Sequence, residues 1–373
     1  MSKILEKRKL CIGLVRRLTD EVGSFTVQDI ILETGLPRST VQDWMKRLLE
    51  EQQIELVEGA SGRKPARYAF RLKPSLPYSA CKRIFTTIDK THEIGEIYHS
   101  CSSEGAVMFC AFTHKKAECA ITGTRYEGLM LREKFRLGRT PQKEIDKPTG
   151  SSVVVERVDL QGDKVVQTLK AFGGPAHSLT ETMKNAKGVL RVELEEKEGY
   201  YEGRIFTDAL EHLTIGIDDT DTEDDGATWA LSLSLLDHLG ESVEKISHKV
   251  VMLNPNIKYK TAGNAASFLE IAIDPTKYDE IINRSIDFLR ATTLSENTAV
   301  SVLHGLNIPN ELKKFANSVR AEEVKIDDAL KTAKKCGIDV FEVTGKMGII
   351  GSVASLAFFE SDVDVLMHAS ANL

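Results

Sequence analysis

Nowhere does the chain approach the roughly 18 uninterrupted apolar residues that a membrane-spanning helix needs, which argues against an integral helical membrane protein. Its opening stretch, MSKILEKRKLCIGLVRRL, breaks its apolar residues with Glu6, Lys7, Arg8 and Arg16, the wrong order for a secretory signal. A cytoplasmic protein with no membrane partner is therefore expected. Cysteine is sparse, six residues with no CxxC pair, which leaves out the common zinc-ribbon and thioredoxin spacings. Cys101, Cys110 and Cys119 do lie nine apart, with His99 and His114 nearby, but reduced thiols without a metal are the preferred reading. Internal repeats and low-complexity tracts are absent, and so is the GxxxxGK[ST] phosphate loop.

What is present is an ordinary globular composition, 42% hydrophobic and 28% charged, in 373 residues, a length that suggests two or three domains. The net charge of −6 is unevenly spread. Residues 1–72 hold 13 Lys and Arg against 10 Asp and Glu, or +3, whereas the remainder holds 36 against 45, or −9. A basic N-terminal unit on an acidic body fits a confined nucleic-acid contact better than general adhesion to polyanions.

The pattern predicts helices over 8–22, from Thr26 as N-cap to Gly35, and from Ser39 to about Gln52. Leu10, Leu14, Val15 and Leu18 line the first, and Val41, Trp44, Met45, Leu48 and Leu49 the third. A hairpin follows, with strands near Ile54–Val57 and Tyr68–Leu72 and a basic tip, and Lys73–Pro77 reads as a linker. Three helices and a basic hairpin are the parts of a winged helix-turn-helix over 1–73. Its third helix would present Ser39, Thr40, Gln42, Asp43, Lys46 and Arg47 to a major groove, and its wing would lay Arg63, Lys64 and Arg67 along phosphates. The segment resembles the DNA-binding domains of prokaryotic transcription regulators, down to its GRKPARY wing.

A mixed α+β domain is expected over 79–210, with SSEGAVMFCAFT, KAECAITGT, SSVVVERVDL and RVELEEKEGYYEGRIFT read as strands. The Phe172-Gly173-Gly174-Pro175 turn opens a helix that closes near Gly188. From 211 to 373 an α/β region carries the chemistry. A short strand, His212–Ile217, runs into six carboxylates in eight residues, 218–225. Such charges repel unless a cation sits among them, so Asp218, Asp219 and Asp221 are candidate Mg2+ ligands. Glu223, Asp224 and Asp225 read as solvated, with Thr222 or Asp225 capping the next helix. Downstream, NPNIKYKTAGN offers Asn254, Asn256, Lys260, Thr261, Gly263 and Asn264 to anionic oxygens. Gly348, Gly351 and Ser352 form a second glycine turn at a helix N-terminus. Together these describe a magnesium-nucleotide site.

IGIDDTD, LNPNIKYKTAGNAA and GKMGIIGSVASLA resemble three ordered signatures of the archaeal synthetases that make 2-agmatinylcytidine in an isoleucine tRNA. The run from about 85 onward, including EGAVMF, FGGPAHSLTETMKNAKGVLR and IGIDDTDTEDDGATW, also resembles methanogenesis marker protein 11, an archaeal family. The resemblance implies an archaeal multidomain α+β protein with kinase-like and ferredoxin-like parts. It also implies Mg2+ and ATP at Asp218, Asp219 and Asp221, with Asp219, Asp221 and Lys260 as catalytic residues. The synthetases follow their acidic loop with Cys-Thr-Thr; here stands Gly226-Ala227-Thr228-Trp229, and only Thr228 keeps that hydroxyl chemistry. They also continue into an OB-fold and a zinc ribbon, which are not expected in the residues up to Leu373. The expectation is thus a DNA-binding transcription regulator, a homodimer on double-stranded DNA whose second half senses a nucleotide. The alternative is an ATP-dependent enzyme modifying RNA or a small molecule, tethered by the winged helix.

Overall fold

Thr26 starts the second helix with a capping box: its Oγ1 accepts the Asp29 N–H at 3.3 Å while Asp29 Oδ2 accepts the Thr26 N–H at 2.7 Å. The computed structural model describes residues 3–51, 53–62, 64–70, 79–116, 120–138, 152–261, 263–370 and 373, in two units, Met1–Pro77 and Tyr78–Leu373. The first unit holds helices α1 (Lys3–Val22), α2 (Val27–Thr34) and α3 (Arg38–Glu50), then an antiparallel hairpin of β1 (Ile54–Glu58) and β2 (Arg67–Phe70). Its core is Cys11, Val15, Leu18, Phe25, Ile30, Val41, Met45, Leu48 and Ile54. Pro37, not Ser39, stands at the N-cap of α3, without a side-chain cap, and Leu49 faces outward rather than the core. The linker expected over Lys73–Pro77 lies outside the described residues.

The second unit opens with β3 (Cys81–Asp89), β4 (Ile94–Cys101), α4 (Glu104–Lys116), β5 (Ile121–Glu127) and β6 (Met130–Arg136). Next come β7 (Ser152–Gln161), β8 (Lys164–Phe172), α5 (Gly174–Thr182), β9 (Val189–Lys197) and β10 (Tyr200–Asp218). The chain closes with α6 (Thr228–Leu239), β11 (Glu244–Met252), β12 (Ala265–Ile273), α7 (Tyr278–Thr292), β13 (Ala299–His304), α8 (Asn310–Ala321), α9 (Ile326–Cys336), β14 (Asp339–Glu342), α10 (Ile349–Ser355) and α11 (Val363–Met367). Two sequence expectations change here. The segment SSEGAVMFCAFT is mostly helix α4, started by Ser103, whose Oγ accepts the Ala106 N–H at 3.2 Å. The short strand at 212–217 is the end of a strand 19 residues long. No helix among the described residues is long and apolar enough to cross a membrane.

Strand β10 organises this unit. Its first half pairs antiparallel with β8 and β9, Ala209 and Leu210 pair parallel with β3, and its last residues pair antiparallel with β12 and β13. Because side chains alternate across a strand, Leu213, Ile215 and Ile217 pack into one apolar layer with residues of α6 and α7, while Gly216 abuts α10 on the other face. Helices α8, α9 and α10 contribute a second apolar layer.

The sheet folds over a buried ion cluster. Arg132 on β6, 1% exposed, grips Glu96 on β4 (2.8 Å) and Glu270 on β12 (2.8 Å), and both carboxylates are fully buried. Tyr98 donates its hydroxyl to Glu96 at 2.6 Å, His212 Nε2 lies 3.2 Å from Glu270, and Ser247 also donates to Glu270. Burial pushes both carboxyls up, but Arg132, joined by Arg125 and Tyr98 at Glu96 and by His212 at Glu270, more than offsets it, so Glu96 is held below and Glu270 well below the usual carboxylate range. Removing one partner of such a pair strands a charge in low dielectric. Arg132→Met is expected to cost about 3–5 kcal/mol, read as a lower urea midpoint, and adding Glu270→Gln should recover part of the loss.

Candidate functional site

Three separated sequence segments meet the acidic turn at the C-terminal end of β10: the loop after α7, the glycine turn before α10 and, at Leu253, the foot of the loop after β11. The strand delivers Asp218 at its last position, and Asp219 follows in the left-handed region, φ 58°, a costly conformation for a residue with a side chain. Asp219 is held there from two sides. Ser295 donates its hydroxyl to Asp219 Oδ1 at 2.7 Å, and Thr298 donates to the Asp219 carbonyl at 2.7 Å. Thr293 donates to the Thr220 carbonyl at 3.1 Å, while Thr344 donates to Ser295 O and accepts the Thr298 N–H. The loop between α7 and β13 is thus a hydroxyl clamp on the acidic turn. Sequence reading missed it; its only signal was the density of hydroxyls in TTLSENT.

The glycine turn before α10 packs against both Asp218 and the clamp loop, where the Gly348 N–H bonds Asn297 O at 3.0 Å. A Cβ on Gly348 would come within 2.6 Å of the Asp218 carbonyl oxygen. One on Gly351 would collide with the Asp218 carboxylate, 2.6 Å from its Cγ and 3.1 Å from Leu253 at the foot of the third segment. Gly216 permits the same approach one layer below, where a Cβ would stand 2.6 Å from Ser355 Oγ. Ser352 is fully buried, sharing a 2.8 Å hydrogen bond with Ser301, so its hydroxyl belongs to this packing.

Burial and the neighbouring charges of Asp219 and Asp221 raise the Asp218 carboxyl well above its ordinary range. Asp219 is raised by burial and by Asp221, partly offset by Ser295. Crowded carboxylates of this kind are oxygen ligands short of a cation, so the donor chemistry fits a hard divalent ion. As the side chains stand, no three His, Cys, Asp or Glu groups among the described residues are disposed about one ion. Thr222 and Asp225 do not cap α6. They close their own turn, Thr222 N–H to Asp225 O at 2.9 Å, and Ala227 takes the cap position with no side-chain bond. Thr228 is buried against Thr220, hydroxyl to hydroxyl at 3.0 Å.

In the third segment Asn254 and Asn264 shape the loop. Asn254 Oδ1 accepts the Asn256 N–H at 2.9 Å, and Asn264 Nδ2 donates to the Asn254 carbonyl at 2.7 Å. Asn256 and Lys260 are exposed, Gly263 has open space around it, and Thr261 donates to the Gly263 carbonyl at 3.3 Å.

In the first unit Ser39, Gln42, Asp43, Lys46 and Arg47 are exposed and Thr40 is half-buried, but Asp43 and Arg47 pair with each other at 3.1 Å. Arg67 turns inward, donating through Nε to Ser24 Oγ and through Nη2 to Ser24 O, both at 2.8 Å. It fastens the hairpin to the α1–α2 turn instead of reaching for phosphate. Lys64 is exposed, and Arg63 lies outside the described residues.

Residues 214–277 match the domain family described as the TiaS TCKD domain. The 2-agmatinylcytidine synthetase TiaS of Pyrococcus horikoshii, named for an isoleucine tRNA, is 36% identical over 156 residues, 39% of this chain and 35% of the synthetase, so the chain spans about a third of that relative. A solved complex of TiaS with that tRNA and ATP is similar at 24% identity and a TM-score of 0.36, covering 40% of this chain and 37% of the other. The uncharacterized protein MJ0921 of Methanocaldococcus jannaschii is 33% identical over 225 residues, 57% of this chain and 72% of the relative.

These relatives overturn the expectation of a transcription regulator acting on double-stranded DNA. The shared module is that of tRNA-modifying synthetases, and one of the charges assigned to DNA, Arg67, is engaged within the unit.

The close approach of α10 gives a direct test. Gly351→Ala is expected to destabilise the second unit by about 1–3 kcal/mol through overpacking, whereas Gly263→Ala leaves it within about 0.5 kcal/mol; urea unfolding of the two variants reads the difference. Through these similarities the chain belongs to the family of the uncharacterized protein MJ0921, with residues 214–277 similar to the TiaS TCKD domain.

Proposed function

We propose that this protein is an ATP-using enzyme that modifies RNA, of the tRNA class. The observation that carries the reading is the convergence at the end of β10, where a clamped left-handed Asp219 and a glycine turn enclose Asp218. The names of the curated relatives, synthetases acting on an isoleucine tRNA, supply the substrate class. The module's kinase-like and ferredoxin-like character and its kinship with methanogenesis marker protein 11 belong to the same proposal.

In this reading Asp218, Asp219 and Asp221 would hold magnesium, whose charge offsets that of the ATP phosphates and of the group in transfer. The chain's own parts divide the remaining work. Ser295 and Thr298 fix the direction of Asp219, which leaves the Asp218 and Asp221 carboxylates to turn toward the ion. Lys260, with Asn256, Thr261 and Gly263, would contact phosphate oxygens, while Gly348 and Gly351, both buried, let α10 pack directly on Asp218. Asn254 and Asn264 keep that loop in shape. The first unit would act as a winged helix that tethers substrate RNA through Lys46, Lys64 and the polar face of α3.

Magnesium-dependent consumption of ATP by the purified protein tests the proposal. Asp219→Asn is expected to lower turnover on the order of 10²-fold, as loss of a metal-holding carboxylate would. Turnover unchanged in Asp219→Asn would remove the aspartates from the chemistry.

A further inference from the structure

Outside the nucleotide site, the second unit gathers thiols and an imidazole at one end of the β3–β4 pair. Cys81 and Cys101 are directly opposite one another across the two strands, and both are buried. The Ser102 N–H bonds Ala80 O at 2.9 Å beside them, so Cys81 and Cys101 occupy the close, non-hydrogen-bonded kind of pair. Cys81 Sγ lies 3.6 Å from His99 Nδ1. On the far side of the ring, His99 Nε2 lies 3.6 Å from Glu133 Oε2 on β6, with Glu133 fully buried. Helix α4 adds the half-buried Cys110, which packs against the cluster that contains Cys101.

We propose that Cys81, His99, Cys101 and Cys110 form a site of three thiolates and one imidazole for a soft divalent cation of the zinc type, with Glu133 orienting His99. The distances fit this chemistry. With Zn–S of about 2.3 Å and Zn–N of about 2.0–2.1 Å, the S···N edge of a tetrahedral site is about 3.6 Å, the separation found between Cys81 and His99. A carboxylate behind the ligating histidine is the usual outer partner that fixes ring orientation and tautomer. Thiols buried only as small apolar groups would not account for a buried imidazole and a buried carboxylate beside them. The donor type also separates this site from the aspartates: thiolate and imidazole select zinc-like ions, while carboxylates select magnesium.

The Cys81 thiol is pushed well above its ordinary value by its hydrogen bond to Cys101 and by burial, and Cys110 is pushed up to about 12 by burial and the charges of Cys101 and Glu133. As the side chains stand, no three described donors share one point; the ion would draw the Cys81, Cys101 and Cys110 thiols and the His99 ring together. Binding by three thiols and a neutral imidazole releases three protons to solvent and leaves three thiolates on the ion. The bound metal would then tie α4 to the β3–β4 edge.

Cobalt(II) chloride added to reduced, chelator-treated full-length protein under anaerobic conditions tests the site. The expected result is a thiolate-to-cobalt absorption band saturating at one ion per chain and abolished by one equivalent of zinc. Cys81→Ser and Cys110→Ser are expected to lose the band, while Cys336→Ser and Asp219→Asn keep it. A metal-edge absorption spectrum of the unsubstituted protein, independent of any variant's folding, should show three sulfur neighbours and one nitrogen. Absence of the band, its survival in Cys81→Ser, or a shell of oxygen and nitrogen alone would overturn the proposal.

Discussion

Strand β10 has to satisfy three pairings in succession, and the placement of the site follows from that constraint. Over 19 residues it passes from β8 and β9, across a short parallel contact with β3, to β12 and β13. Each transfer leaves backbone groups to be satisfied by a new neighbour, and the strand accomplishes this without a break. Its last residue is Asp218, so the direction of the acidic turn is set by a ladder that begins at Tyr200.

Two kinds of buried charge sit along this strand, and they differ in how they are balanced. At Glu270, beside His212 on β10, the carboxylate meets the Arg132 guanidinium and hydroxyl or imidazole partners, and it is held well below the usual range. At Asp218 the neighbours are two further carboxylates and two glycines, and the carboxyl is pushed up. Structural ion pairs neutralise one another; a site with unbalanced charge beside a clamped, left-handed residue is where a ligand's charge belongs. Ser295, Thr298 and Thr344 stabilise that turn without neutralising it, because hydroxyl groups orient an oxygen and leave its charge available.

Much of this was legible in the sequence. Thr26 and Gly35 bound α2 as capping rules require, and of the glycine turn the structure packs Gly348 and Gly351 against Asp218, while Asn256 and Lys260 of the polar loop stand exposed. The errors have physical sources. EGAVMFCAF is rich in residues that suit strands, and its helical start depends on Ser103 alone. Arg67 carries the charge of a phosphate ligand, but only the fold shows Ser24 taking its donors. The Ser295 clamp lies 76 residues from Asp219, and no local pattern announces a contact of that separation. The charge of the hairpin likewise carries no information about the chemistry of the second unit, where the relatives' similarity lies.

The most direct measurement is the dependence of ATP use on RNA. Purified protein would be incubated with ATP, magnesium and archaeal tRNA, the RNA recovered, and its nucleosides weighed by mass spectrometry, with duplex DNA in a parallel reaction. An RNA-modifying enzyme should consume more ATP with tRNA but not with DNA, and leave a nucleoside of altered mass in the RNA. ATP consumed equally with tRNA, with DNA or with neither, and RNA recovered unchanged, would contradict that role.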